Sequence, residues 1–138
     1  MRKMVLLVSH PLLAEQKQEA QRVWQVKSFV ALPEQLQNVW SQITPEGSFP
    51  MDPFRSLLNW LEKETEPQDL VWVQGEPGAL FLVVSWCFQY ERIPVYATTR
   101  REHQSTMLPD GTVRNQHTFK HVTFRVYPRG DEIEFFPT

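Results

Sequence analysis

Two threonines and two arginines follow a short apolar stretch in the last third of the chain. Residues 95–97 are predicted to form a buried strand, and Thr98, Thr99, Arg100 and Arg101 come directly after it. Ligands of open α/β sheets bind at the carboxyl ends of the strands. Because a guanidinium group matches a phosphate in shape and charge, the two arginines indicate an anion site. The alternative is a surface turn whose arginines contact only water.

A second polar loop follows the first apolar run of the chain, residues 3–8. It contains Ser9 and His10 and precedes a segment with helical spacing of its apolar residues. Histidine is the side chain that exchanges protons near neutral pH, so His10 is a candidate general acid or base. The alternative is a histidine at a helix end with no part in chemistry.

A glycine-rich loop follows the third apolar run, residues 69–74, and precedes an apolar helix. Glycines let backbone amides approach a ligand closely, and the beginning of a helix favours an anion. The predicted ligand contacts in this loop are Gln74, Gly75, Glu76 and Gly78. The alternative is a tight turn that needs glycine for packing alone. The chain has no Walker motif and no dinucleotide-binding motif, and no cofactor is predicted.

Strands and helices alternate along the first hundred residues, which is the pattern of an α/β protein. Apolar runs predict strands at residues 3–8, 26–32, 69–74 and 95–97, and apolar residues three or four apart predict the helices between them. Right-handed crossovers then give a mostly parallel sheet flanked by helices, with the carboxyl ends of its strands at one edge. The three polar loops are therefore expected to meet at that edge.

The last third of the chain predicts a C-terminal β-hairpin. A turn of proline, aspartate and glycine separates a polar stretch from residues 117–127, which alternate in polarity. Strict alternation places Phe124 on one face of this strand and His121 and Arg125 on the other. Together with Lys120, those two polar residues are predicted to contact the ligand. The polar face either closes over the ligand or pairs with a partner subunit.

The whole chain, residues 1–138, is expected to form a single domain. Residues 1–99 are predicted to be the α/β core, residues 100–128 the appended hairpin, and residues 129–138 an acidic tail.

Positive charge is concentrated in one part of the chain. Of the net charge of −2, residues 1–91 contribute −4, residues 92–129 contribute +5 and residues 130–138 contribute −3. A local basic surface on an acidic protein suits a small anionic ligand better than long nucleic acid, which needs a broader basic face.

Several other functions are excluded or disfavoured by the composition. No apolar run approaches the roughly 20 residues that a membrane helix needs, so no membrane association is predicted. The single cysteine, Cys87, lies among apolar residues, which predicts a cytoplasmic protein and a buried thiol rather than a nucleophile. His117 and His121 are four residues apart, but two possible ligands do not make a metal site, and none is predicted.

The predicted groups can cleave one class of substrate without a metal ion. RNA carries its own nucleophile, the 2'-hydroxyl, and a protein can hold that oxygen in line with the scissile phosphate. His10 would then act as the general acid or base. Arg100 or Arg101 would stabilise the charge that develops on the phosphate, and Arg100 is the first candidate because it lies nearer the sheet.

Four stretches of the chain together resemble a known family. They are Leu7-Val-Ser-His10, Val73-Gln-Gly-Glu-Pro-Gly-Ala79, Val95-Tyr-Ala-Thr-Thr-Arg-Arg-Glu102 and Phe119-Lys-His-Val-Thr-Phe-Arg125. In this order they resemble a small family of CRISPR-associated accessory proteins, the twentieth of the miscellaneous x-series. The resemblance covers nearly the whole chain, and the last two stretches are its most specific parts.

The resemblance implies a Rossmann-like fold, as a minimal relative of the CRISPR-associated Rossmann-fold (CARF) domain. It also implies a ring nuclease of type III CRISPR immunity. Such a protein would be a homodimer that encloses a cyclic oligoadenylate, expected to be cyclic tetra-adenylate, and cuts it to linear products. Ligand contacts after the first and fourth strands carry over to Ser9, His10, Thr98, Thr99 and Arg100.

Two other functions remain open on the sequence. A binding module would sequester the cyclic messenger without cutting it, using the same arginines but not His10. A regulatory subunit would instead use the hairpin to dock a partner protein.

Overall fold

A computed structural model describes residues 2–132 of the chain, which form a mixed α/β fold. The strands are β1 (Arg2–Leu7), β2 (Val26–Ala31), β3 (Leu70–Val73), β4 (Ile93–Met107) and β5 (Val113–Val126). The helices are α1 (Ala14–Arg22), α2 (Glu34–Ser41), α3 (Met51–Glu64) and α4 (Pro77–Gln89), followed by a short 3-10 helix at Gly130–Glu132. Residues 133–138, most of the predicted acidic tail, lie outside the described residues.

The five strands form one sheet in the order β2-β1-β3-β4-β5. β1 to β4 run parallel to one another, and β5 pairs antiparallel with β4. The predicted mostly parallel sheet flanked by helices is therefore confirmed. The strand order reverses at β1, because β2 lies on one side of it and β3 on the other. The carboxyl ends of β1 and β3 thus flank the reversal, which is where open α/β sheets bind ligands.

Two hydrophobic cores cover the two faces of the sheet. Helices α2, α3 and α4 pack on one face, and α1 packs on the other. In β3, Val71 and Val73 belong to the first core and Leu70 and Trp72 to the second, and all four are fully buried. A strand covered on both faces needs apolar residues throughout, which explains its continuous apolar run. None of the described helices is long and apolar enough to cross a membrane.

β4 and β5 form a long antiparallel pair that begins inside the sheet and continues beyond it. The pairing extends from Val95 to Met107 of β4. Every residue from 99 to 120 is exposed, so this segment, which we call the arm, has solvent on both faces. β4 does not end at Ala97, as predicted, because backbone pairing with β5 continues the strand where burial no longer does.

One extra residue in β5 sets the direction of the side chains next to the arm. Two consecutive residues of β4, Thr98 and Thr99, lie opposite residues two apart in β5, so Val122 has no partner in β4. Such a bulge exchanges the faces of the residues beyond it. The rings of His121 and Phe124 consequently lie on the same face, with centroids 5.0 Å apart. The prediction of opposite faces is wrong, because it assumed strict alternation.

Candidate functional site

A cleft of about 270 Å³ opens at the carboxyl edge of the sheet, next to the reversal of strand order. Its lining side chains come from the loop after β1, from α1 and from strands β3, β4 and β5. They are His10, Pro11, Leu13, Gln16, Trp72, Gln74, Ala97, Thr99, Phe119 and His121. Four of them had been predicted as site residues from the sequence: His10, Gln74, Thr99 and His121.

His121 is held at the cleft by a carboxylate of α1. Its Nε2 lies 2.6 Å from Oε1 of Glu19, and the two side chains are 4% and 13% exposed. The same carboxylate accepts hydrogen bonds from the amide of Phe124 at 2.8 Å and from the hydroxyl of Thr123 at 2.8 Å. Glu19 therefore anchors β5 to α1 and orients the imidazole of His121 at the same time.

Hydrogen bonding decides the charge of Glu19. Burial acts to raise the pKa of its carboxyl group, but four hydrogen-bond donors, with the Phe124 amide foremost, together lower the pKa below its ordinary value. Glu19 is therefore a carboxylate at neutral pH, and a carboxylate can only accept hydrogen bonds. It follows that Nε2 of His121 carries a hydrogen.

The other ring nitrogen of His121, Nδ1, is buried and has no hydrogen-bond partner within residues 2–132. Because Glu19 fixes the hydrogen on Nε2, the neutral ring presents a lone pair at Nδ1. Leaving a buried polar atom unpaired costs about 1–3 kcal/mol. The ring lines the cleft, but Nδ1 itself is enclosed, so a ligand can pair with it only after a local movement of the cleft wall. His121 thus has the arrangement of an oriented general base.

His10 lies at the same cleft, on the loop after β1. Its ring is exposed and meets the ring of Trp72 edge-on, with centroids 5.3 Å apart. Ser9, its neighbour, does not line the cleft, because its hydroxyl is 2.9 Å from the hydroxyl of Ser41 in α2. The cleft therefore holds two imidazoles, one buried and oriented, the other open to solvent.

The side chain of Gln74 links the ends of β3 and β4 by hydrogen bonds, just beyond the last backbone pair of the two strands. Its Oε1 accepts hydrogen bonds from Nε1 of Trp72 at 2.6 Å and from the amide of Ala97 at 2.8 Å. These two contacts fix the position of the side chain in the cleft, and they take up its carbonyl oxygen.

The glycine loop after β3 serves packing rather than the cleft. A Cβ at Gly75 would lie 3.0 Å from the ring of Trp40, and a Cβ at Gly78 would lie 3.1 Å from the ring of Phe49. The Glu76 carboxylate caps α4 by accepting a hydrogen bond from the Gly78 amide at 2.7 Å. The beginning of α4 thus already holds the protein's own carboxylate where a ligand anion was expected, and none of these three residues lines the cleft.

The predicted arginines lie on opposite faces of the arm. Arg101 lies opposite Phe119, on the face of the β4–β5 pair that carries His121, whereas Arg100 lies opposite Lys120 on the other face. Both arginines are exposed, and neither lines the cleft. Alternation along β4 places Arg101, rather than Arg100, on the same face as Ala97 and Thr99, which line the cleft.

Thr98 and Arg125 lie on the sheet face away from the cleft. The hydroxyl of Thr98 donates to the carbonyl oxygen of Thr123 at 3.1 Å. The guanidinium of Arg125 lies over the ring of Tyr96, 5.9 Å from its centroid. Both predicted ligand contacts therefore have partners within the protein.

Cys87 lies on the inner face of α4, in the first core, and is fully buried. Burial raises the pKa of its thiol to about 12, and the nearby charge of Arg92 only partly opposes this rise. The thiol is therefore uncharged at neutral pH, and the prediction of a buried small hydrophobe is confirmed. Within residues 2–132, no group of three or more His, Cys, Asp or Glu side chains is placed to hold a metal ion.

Three residues at or behind the cleft were not predicted from the sequence: Glu19, Gln16 and Trp72. All three lie on elements whose residue patterns indicate packing, and Glu19 acquires its role only because β5 folds back onto α1. A signal was available for Gln16. It occupies the apolar stripe of α1 and is only 4% exposed, and a buried polar side chain needs a partner.

The profile of one protein family, described as the Uncharacterized protein MJ1673 family, matches residues 2–125. The chain belongs to this family. The matched range runs from β1 into β5 and includes every residue that lines the cleft.

A relative from Methanocaldococcus jannaschii, described as Uncharacterized protein MJ1673, is 35% identical over 127 residues. The match covers 92% of this chain and 98% of the relative, so the two proteins correspond over almost their full lengths. No solved structure matches the chain.

Proposed function

We propose that the protein is a metal-independent phosphodiesterase that cuts RNA linkages by attack of the substrate's own 2'-hydroxyl. The observation that carries the proposal is the pair of imidazoles at one cleft. His121 is oriented by Glu19, and its Nδ1 has no partner among the described residues, while His10 is exposed to solvent. One ring can accept a proton while the other donates one, as general acid–base catalysis of this reaction requires.

In the proposed step, Nδ1 of His121 removes the proton from the 2'-hydroxyl, and the resulting oxygen attacks the adjacent phosphorus. The bond between phosphorus and the 5'-oxygen breaks, and protonated His10 donates its proton to that leaving oxygen. The products are a 2',3'-cyclic phosphate and a 5'-hydroxyl, and no water is consumed. The Glu19 carboxylate stabilises the imidazolium that forms on His121. Proton exchange with solvent then returns both rings to their starting states.

We propose cyclic oligoadenylate, in particular cyclic tetra-adenylate, as the substrate, so that cleavage in the cytoplasm would switch off type III CRISPR signalling. The support is the resemblance of the four sequence stretches to the CRISPR accessory family. A Rossmann-like arrangement of the CARF type is part of the same proposal, and the cleft beside the reversal of strand order is where such a sheet binds ligands. Phe119, 67% exposed at the cleft, offers a surface on which a base can stack.

A homodimer would match the size of the ring. Pockets for small molecules span about 300–1,000 Å³, and the cleft of about 270 Å³ suits one nucleotide better than a whole tetranucleotide. Two copies related by a two-fold axis would present two clefts to a ring of matching symmetry. We propose that the arm forms the contact with the second copy. An isolated two-stranded pair is marginal in water, and this one exposes Met107 and Val113.

Incubation of the purified protein with cyclic tetra-adenylate in EDTA tests the proposed function. Wild-type protein should yield linear product and His121→Gln should not, while Lys17→Gln is the control because Lys17 is exposed on α1 and does not line the cleft. An intact ring after long incubation with stoichiometric wild-type protein would contradict the proposal. Tight binding without product would favour the sequestering role, and no binding in calorimetry would favour the regulatory subunit.

A further inference from the structure

Two glutamine side chains of the cleft have their carbonyl oxygens occupied by the protein. Oε1 of Gln16 accepts a hydrogen bond from the amide of Leu13 at 2.9 Å, and Oε1 of Gln74 accepts from Trp72 and Ala97. All of these partners can only donate, so the contacts establish which end of each side-chain amide is the oxygen. The NH₂ group of each glutamine is the end left over.

Neither NH₂ group has an acceptor within residues 2–132. Gln16 is 4% exposed and lines the cleft, so the cleft is where an acceptor can reach it. Among the described residues, the buried side-chain atoms without a partner are Oε2 of Glu76 and Nδ1 of His121, so neither glutamine NH₂ group is sealed from solvent. Both amides line the same cavity, and each can donate a hydrogen bond to a ligand that enters it.

We infer that Gln16 and Gln74 bind the non-bridging oxygens of the scissile phosphate, as two neutral donors beside His121; the inference rests on the proposed function. Gln74 is hydrogen-bonded to Ala97, two residues before Thr99, and Thr99 lies opposite His121. Two residues of a strand span roughly 7 Å. One nucleotide linkage can therefore contact both the amide and the imidazole.

Neutral donors held in advance suit this position. Negative charge grows on the non-bridging oxygens as the 2'-oxygen attacks, and fixed donors stabilise that charge without having to reorganise. Arg100, the residue first predicted for this role, lies on the opposite face of the β4–β5 pair. Both amides line the cleft on the side of His121 and are placed to take this role.

The variants Gln16→Glu and Gln74→Glu test the inference. Each keeps the accepting oxygen and nearly the same shape, but replaces the donor by a second acceptor. Loss of one such donor typically lowers kcat by about 10²–10³-fold, and we expect a fall of that size on cyclic tetra-adenylate in each variant. Gln18→Glu makes the same charge change on the exposed surface of α1 and should cleave at the wild-type rate. Thermal melting of each variant checks that it is folded.

A second measurement needs no substitution in the protein. Replacing one non-bridging oxygen of the substrate by sulfur weakens its hydrogen bonding, so wild-type protein should cut both phosphorothioate diastereomers more slowly than the unmodified ring. Wild-type kcat in both Gln→Glu variants, or cleavage of both diastereomers at the rate of the unmodified ring, would overturn the inference. Failure of wild-type protein to cut any ring would instead defeat the proposed function itself, so the two failures are distinguishable.

Discussion

The side chains of His121 and Glu19 are 102 positions apart in the chain and meet in a hydrogen bond of 2.6 Å. Glu19 lies in the middle of α1, and His121 lies in β5 next to the bulge. The carboxylate also binds the backbone amide of Phe124, so the contact that orients the imidazole is part of the packing of β5 on α1. The proposed base is therefore positioned by the fold itself.

Glu19→Gln should reduce cleavage on the order of 10³-fold or more, as removal of a carboxylate behind a catalytic histidine does elsewhere. The amide would offer a donor to Nε2 of His121, which favours the tautomer with hydrogen on Nδ1. The measurement is the single-turnover rate on cyclic tetra-adenylate. Glu15→Gln, in the exposed first turn of α1, is the matched control. A Glu19→Gln variant that binds the ring and cuts it at the wild-type rate would exclude His121 as the base.

The same substitution should change how stability depends on pH. The pKa of Glu19 is lowered from its ordinary value of 4.5 in the folded protein, where donors overcome the effect of burial. Its contribution to stability is therefore fully present above that pH and is lost as the pH falls through the lower folded value. Urea unfolding from pH 7 to pH 3 should show wild type more stable than Glu19→Gln near neutrality, with the difference shrinking in acid. Parallel curves would mean that Glu19 titrates alike in the folded and unfolded states.

Gly75→Ala should destabilise the fold without a direct effect on the chemistry. The new Cβ would meet the ring of Trp40 at 3.0 Å, and overpacking of this kind costs about 1–3 kcal/mol. Denaturant unfolding gives the change, and Gly130→Ala is the control, because nothing lies within 4 Å of a Cβ there. If Gly75→Ala were as stable as wild type but bound the cyclic ligand more weakly, the glycine loop would have to contact the ligand.

Shortening the arm should separate folding from assembly. Replacing residues 103–117 by an Asn-Gly turn removes only exposed residues and leaves both cores intact. The melting temperature should change little, while sedimentation should shift from a dimer to a monomer. A shortened protein that still sediments as a dimer would place the second copy on another surface.

The sequence predicted the location of the cleft, at the carboxyl edge of the sheet, better than it predicted which side chains act there. Alternating strands and helices were enough to bring His10, Gln74 and Thr99 to one cleft, because crossover handedness constrains where strand ends lie. The partnership of Glu19 and His121 was beyond sequence reasoning. It depends on a contact between distant elements and on one unpaired residue, Val122, that reverses the faces of β5.

Two other differences have local physical causes. Gly75 and Gly78 looked like ligand-binding glycines, but the rings of Trp40 and Phe49 occupy the space beside them. Arg100 looked closest to the sheet by position in the chain, but alternation along β4 puts Arg101 on the face of Ala97 and Thr99, which line the cleft. In both cases the residue types were informative, while the side on which each acts depended on packing and on the direction of the side chain.

The mass of the first product from cyclic tetra-adenylate is the most direct test of cleavage by the 2'-hydroxyl with His121 as the base. Stoichiometric protein in EDTA and heavy-oxygen water should first produce a linear molecule of the same mass as the ring, ending in a 2',3'-cyclic phosphate and carrying no label. His121→Gln should bind the ring and leave it closed. A first product heavier by one labelled water, or a wild-type rate in His121→Gln, would contradict the mechanism.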